Sequence, residues 1–261
     1  MPGDPLTWLT YAGLGVFVGF FSGLLGIGGG AMTVPILGLV FVASGFAPAQ
    51  VMPLALGTSL AAIVLATASS ARAHLKHGAV RLDIVRGVAP GIAVAGLAAG
   101  TIARLMPTAL LKGFFFAFVV YITYQIVFGL KPRAGRPVPG RGGLFAVGLL
   151  VGGFSGLAGV GGAMISVPFM TMWGVPFRSA ISFVVAVAGV AGFVIAGLAE
   201  AALPPWTVGY VYVPALVGIS VTSVFMAPLG AKVAHRLPVA ALKKVFALFI
   251  LALALKLVAS L

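Results

Sequence analysis

Residues 19–35 read GFFSGLLGIGGGAMTVP, and residues 152–168 read GGFSGLAGVGGAMISVP. Superposed at a shift of 133 without a gap, ten of the seventeen positions are identical. Half of the shared residues are glycine, joined by a serine, a proline and a phenylalanine, which is not what two greasy segments share by chance. Each copy interrupts a long apolar run. The chain therefore reads as two related halves that break a membrane helix at the same place.

Composition supports a membrane setting. Of 261 residues, 61% are hydrophobic and only 7% charged, against about 25% charged in a soluble domain. Apolar runs near the roughly 18–20 residues that span hydrocarbon recur throughout. No stretch is left over for a soluble domain. With no cysteine, disulfide and thiol chemistry are excluded. The net charge of +13 would suggest nucleic acid in a soluble protein, but here the basic residues sit in short loops, where they orient a membrane protein. No nucleic-acid partner is expected. The start, MPGDPLTW, lacks a basic region, so the first apolar run reads as a retained helix, not a cleaved signal.

Apolar segments run over about 6–26, 31–46, 51–70, 83–105 and 109–130 in a first repeat, residues 1–130. A basic linker, 131–142, follows. The second repeat, 143–261, carries segments at about 143–159, 163–175, 179–201, 207–231 and 240–260. The duplication continues past the glycines: RLMPTALLKGFFFAF (104–118) resembles HRLPVAALKKVFALF (235–249) at a shift of 131. The fold expected is a single all-α polytopic transmembrane domain of two homologous halves.

Loop charge decides their relative orientation. With an odd number of crossings per half, one side receives Arg72, Lys76, Arg81, Arg86, Lys131, Arg133, Arg136, Arg141, Arg178, Lys232, Arg236, Lys243 and Lys244. The other receives only Arg104, Lys112 and Lys256. Four full spans per half give a less one-sided split. Positive charge concentrates on the cytoplasmic side, which favours inverted repeats with both termini outside. Segments as short as 163–175 are then half-helices of a broken or re-entrant element.

Two features overlap in each motif. Gly15, Gly19 and Gly23, like Gly148, Gly152 and Gly156, recur every four residues and line one helix face for close packing. Next come Gly26, Gly28, Gly29 and Gly30, matched by Gly159, Gly161 and Gly162. Such a run disfavours continuous helix. Backbone groups freed in hydrocarbon cost several kcal/mol each unless they are buried in protein or face water, so a break is best kept where it lines a cavity. The restarting helix points unpaired N–H groups and a positive dipole end at that cavity, an anion site without a charged side chain. Ser22 and Ser155 before the breaks, with Thr33 and Ser166 after them, add hydroxyls. The plainer alternative is that the glycines serve only a tight helix crossing.

Thr58, Ser59 and Ser182 are further hydroxyls within apolar runs, and such groups often bond their own helix carbonyls. Gln125 is the only amide well inside one, and its counterpart at the 131 shift is Lys256, near the chain end. His74, His77 and His235 lack partners at zinc-ligand spacing, so neither metal nor cofactor is expected. Arg178 reads as an orientation signal or an anion-attracting mouth residue. The acids, Asp4, Asp83 and Glu200, fall at or near segment ends. Cation carriers and proton relays place carboxylates at mid-membrane; this chain does not, which argues for an anion. No nucleophile–base pair is visible, so no enzyme is expected.

The duplicated G-x-F-S-G-L-x-G-x-G-G…V-P motif, with the following A-L-G-T-S, resembles the TauE/SafE family of sulfite and organosulfonate exporters over essentially the whole chain. The resemblance implies an inner-membrane permease for small sulfur-containing anions, usually described with seven or eight spans; re-entrant half-helices reconcile that number with ten segments. The second copy departs at Gly161-Gly162-Ala163 and replaces Thr58-Ser59 with Ile181-Ser182. The function expected is secondary transport of a small oxyanion bound at the breaks, with a passive channel as the alternative and a non-transporting membrane partner as a third class. The partners are then the anion and the lipid bilayer.

Overall fold

A computed structural model describes residues 5–25, 30–76, 82–129, 135, 137–173, 179–234 and 239–260. Glycines 26, 28 and 29, the whole of the basic loops at 77–81 and 235–238, and Arg178 lie outside them. The described residues form α1 (Pro5–Leu25), α2 (Gly30–Ala43), α3 (Pro48–Lys76), α4 (Leu82–Leu105), α5 (Thr108–Phe128), α6 (Arg141–Ala158), α7 (Ala163–Met172) and α8 (Ser179–Leu198). A small hairpin of β1 (Thr207–Val208) and β2 (Val211–Tyr212) precedes α9 (Val213–Ala234) and α10 (Val239–Ser260).

Seven of these helices are long and apolar enough to cross a membrane. The protein is a multi-pass, all-α membrane protein. α10 has 22 residues but carries Lys243, Lys244 and Lys256. α2 and α7 have 14 and 10 residues, so at a rise of about 1.5 Å per residue each is shorter than the roughly 30 Å hydrocarbon layer. Proline opens α1 and α3 at Pro5 and Pro48, where its missing N–H costs no helical bond. Large side chains such as Leu105, Leu198 and Phe225 stand exposed on the outer faces, as they do where lipid is the solvent.

Glycine sets which helices meet. A Cβ on Gly15 would strike Ile219 and Thr222, one on Gly19 would strike Ser223, and one on Gly23 would strike Ala227, so α1 lies directly on α9. Gly148 meets Val88 and Gly91, Gly152 meets Ile92, and Gly156 meets Ala99 and Gly96, so α6 lies on α4. The shift of 133 carries Gly15 onto Gly148, and the shift of 131 carries Val88 onto Ile219. The same interface therefore occurs twice, in the same register. Both pairs run parallel. By contrast α3 and α8 are antiparallel, with Gly57 against Phe193 and Gly189 against Leu60. So are α5 and α10: the Lys112 ammonium donates to the Val258 carbonyl at 3.4 Å and Thr123 donates to the Ala247 carbonyl at 3.3 Å.

Two elements differ from the sequence reading. α3 continues to Lys76, past the apolar run ending near 70. The segment expected from about 207 instead begins as a hairpin, Thr207 pairing with Tyr212 and Val208 with Val211. Left-handed backbone at Gly209 (φ 55°) turns it, and Trp206 (φ 67°) leads into it. β-branched residues on both sides of that turn suit strands, and hydropathy alone does not separate a buried hairpin from a helix end.

Candidate functional site: a crevice at the two helix breaks

The second break shows how the interruption is built. α6 ends where Gly159 adopts a left-handed conformation at φ 64°. Its amide donates to the Gly156 carbonyl, and that of Val160 donates to Ser155, both at 3.1 Å. This satisfies the last carbonyls of α6 without another helix. The Gly159 carbonyl, which no helix serves, accepts a hydrogen bond from Ser59 Oγ of α3 at 2.8 Å. Gly162 then leads into α7, and its carbonyl accepts from the Ser166 amide at 2.8 Å.

The start of α2 lies against the second break. A Cβ on Gly30, the first residue of α2, would come 2.9 Å from Val160 Cα and 2.7 Å from Ile63 Cδ1. One on Gly161 would come 3.1 Å from Ile63 Cγ2 and 3.7 Å from Ser182 Cβ. Ile63 of α3 thus sits between the start of α2 and the second break, and the starts of α2 and α7 converge around it. The first turn of a helix leaves amides without intrahelical partners, carrying the positive end of its dipole.

Beside the first break a crevice of about 630 Å³ opens between α1, α2, α3 and α9. Among the described residues its walls are mostly apolar, and Ser22, Thr33, Ser220 and Ser223 are its polar side chains, of which Ser223 donates to the Gly15 carbonyl at 2.9 Å. Leu65 and Val224, half exposed, form part of its rim. Its walls run along α1 from Val18 to Gly23, along α3 from Ala62 to Ala66, and along α9 from Ile219 to Ala231, next to Lys232. It therefore occupies the half of these helices nearest the basic loops, here termed the basic face.

On the opposite side, the hairpin face, the same four helices are sealed. Tyr212 sits among Tyr11, Phe41 and Phe46, its ring centroid 5.9, 5.6 and 5.4 Å from theirs. Tyr11, Phe41 and Tyr212 are all less than 5% exposed. Thr58 Oγ1 accepts the Tyr212 amide at 2.9 Å and so ties the hairpin to α3. Tyr210 donates to Glu200 at 3.2 Å, and Arg104 lies 3.8 Å from the same oxygen. Burial, reinforced by that carboxylate, pushes the Tyr210 hydroxyl up to about 12, so it remains a donor at any working pH. Thr58→Val leaves the Tyr212 amide buried without an acceptor. We expect a loss of about 1–3 kcal/mol, read as a lowered thermal midpoint in detergent.

The residues expected at the site divide into three groups. Ser22 and Thr33 line the crevice, while Gly30, Ser59, Gly159, Gly161 and Ser182 surround the junction of α2 with the second break. Ser155 and Ser166 are fully buried, are not among the crevice walls, and their hydroxyls have no hydrogen-bond partner; Gly162 packs on Val185 nearby. Thr58 is engaged by Tyr212, and Gln125 on α5 donates to the Tyr121 hydroxyl at 2.6 Å. Two crevice residues, Ser220 and Ser223, were missed. Their counterparts at the 131 shift are Ala89 and Ile92, so no internal symmetry marked them. The Ser220 hydroxyl is also buried without a partner, which costs about 1–3 kcal/mol unless a ligand or water meets it.

Long apolar helices around a mostly apolar crevice that carries four hydroxyls fit a multi-pass membrane transporter. Residues 11–257 match the sulfite exporter TauE/SafE family, to which the chain belongs. It is 33% identical over 253 residues to a probable membrane transporter protein of Haemophilus influenzae, covering 93% of this chain and 94% of that protein. A probable membrane transporter protein of Methanocaldococcus jannaschii is 23% identical over 234 residues, 86% and 85% of the two chains. No solved structure matches the chain. The family is one of transporters, not of enzymes.

Proposed function

We propose that this protein is a secondary transporter of small sulfur-containing oxyanions, such as sulfite or an organosulfonate, across the inner membrane. The observation that carries the proposal is the hydroxyl-lined crevice beside the converging starts of α2 and α7. Backbone amides and neutral hydroxyls bind a small anion through hydrogen bonds. The aromatic seal around Tyr212 favours a carrier over an open channel.

The antiparallel course of α3 against α8, and of α5 against α10, supports reading residues 1–130 and 143–261 as inverted repeats joined by the basic linker. The basic face is then cytoplasmic and both termini are external, by the positive-inside rule.

The test is flux into proteoliposomes holding the purified protein. Labelled sulfite uptake that saturates and shows counterflow supports the carrier; unsaturable flux without counterflow supports a channel, and no flux retires transport of this substrate. Ser220→Ala separates binding from packing. Removing an unpartnered buried hydroxyl leaves stability unchanged or raised, whereas losing a donor to a charged ligand weakens affinity about ten-fold or more. Thermal unfolding and sulfite binding, measured on the same variant, should therefore move independently.

A further inference from the structure

We infer that Ser155 and Ser166 form the substrate-facing counterpart of Ser22 and Thr33 in a second state, open to the hairpin face, in which α4 parts from α8 while α9 closes on α3. The inference rests on the transport reading above but not on the identity of the anion.

It starts from a contrast between two pairs of helices. In the crevice, α9 contributes Ala227 and Ala231, and α3 contributes Leu65 and Ala66. The 131 shift carries the α9 pair onto Gly96 and Gly100 of α4. Aligning Ser59 with Ser182 carries the α3 pair onto Ala188 and Gly189 of α8. Those counterparts pack against one another. A Cβ on Gly96 would lie 2.8 Å from Ala188 Cβ, and one on Gly100 would strike the backbone of Gly192. α4 and α8 are closed where α9 and α3 are splayed.

The glycine-packed helix pairs that flank the two seams are alike. The α1–α9 and α6–α4 interfaces share one register, so each half presents the same scaffold with one seam open and the other shut. Ser155 directly precedes Gly156, which packs on Ala99 and Gly96 of α4, and Ser166 follows Gly162, which packs on Val185 of α8, by one helical turn. Both are completely buried and both hydroxyls lack a partner. In a native structure each such group calls for an explanation. Here the matching residues Ser22 and Thr33 supply it, because they face a crevice. Opening the α4–α8 seam would give Ser155 and Ser166 the same surroundings at the start of α7. Because α3 and α8 run antiparallel, the residues of that seam lie toward the hairpin face, so this opening leads to the other side of the membrane. Two half-sites, each centred on the broken helix of one repeat, would then serve the anion alternately.

The chain contains no cysteine, so single substitutions report accessibility without background. Ser22→Cys and Ser155→Cys proteins in sealed vesicles of known orientation are treated with a membrane-impermeant maleimide from each side. Methanesulfonate serves as the anion because, unlike sulfite, it does not consume the reagent. We expect Ser22→Cys to react from the basic face. Ser155→Cys should react from the hairpin face alone, about ten-fold faster when methanesulfonate is being carried. Adding Gly192→Ala, which wedges α4 from α8 against the Leu97 carbonyl, should raise Ser155→Cys labelling and lower Ser22→Cys labelling without any anion. Labelling of Ser155→Cys from the basic face would overturn the inference, as would its complete protection with methanesulfonate present and in the wedged variant. If the wedged protein does not fold, labelling in the otherwise native background decides alone. Reciprocal labelling without methanesulfonate flux would retire that substrate and leave the two-state inference standing.

Discussion

A Gly230→Val protein should yield little folded material, with stability lowered by at least about 3 kcal/mol. A Cβ at position 230 would strike the Phe20 carbonyl and come 2.8 Å from the Leu24 amide nitrogen. Both atoms are backbone, so neither can rotate away, and relief requires α1 to move off α9. That movement loosens the glycine contacts along the entire interface. Overpacking a well-filled core costs about 1–3 kcal/mol when side chains can adjust, and here they are not what is struck. Gly13→Val on α1 is the control: a Cβ there meets nothing within 4 Å, and we expect a change within about 1 kcal/mol. Thermal unfolding of the two variants in the same detergent checks the contrast. Equal midpoints would show that the α1–α9 contact does not hold the fold together.

Tyr212→Ala should have the second largest effect, on both stability and tightness. Its ring is the common neighbour of Tyr11, Phe41 and Phe46, which come from α1, α2 and the loop after α2. Removing a buried aromatic costs about 3–5 kcal/mol through lost burial and the cavity left behind. That cavity would lie between the crevice and the hairpin face. We therefore expect liposomes carrying Tyr212→Ala to leak small anions without saturation, while Tyr212→Phe, which keeps the ring, stays tight and within about 1 kcal/mol of the parent. Vesicles that remain tight after Tyr212→Ala would place the barrier elsewhere.

The segments were legible because bilayer thickness and helical rise leave little freedom: apolar runs bounded by glycine, proline and basic residues became α1 to α10 with ends displaced by a few residues. The hairpin was not legible, because Thr207–Tyr212 runs into α9 with no charged residue between them, and only the turn at Gly209 separates them. Thr58 shows a different limit. A hydroxyl within an apolar run offers the same chemistry whether it meets a ligand or a distant amide, and its partner, Tyr212, lies 154 residues away.

The duplicated glycines, read alone, establish two halves, two breaks and the face along which α1 and α6 pack, since residue size and spacing set these locally. They do not establish which helices fill those faces, that the starts of α2 and α7 meet around Ile63, or that one seam stands open while its counterpart is shut. These depend on contacts between residues far apart in the chain. Near-identical motifs can occupy different environments once the two halves pack differently, and that asymmetry separates Ser22 in a crevice from Ser155 in a sealed core.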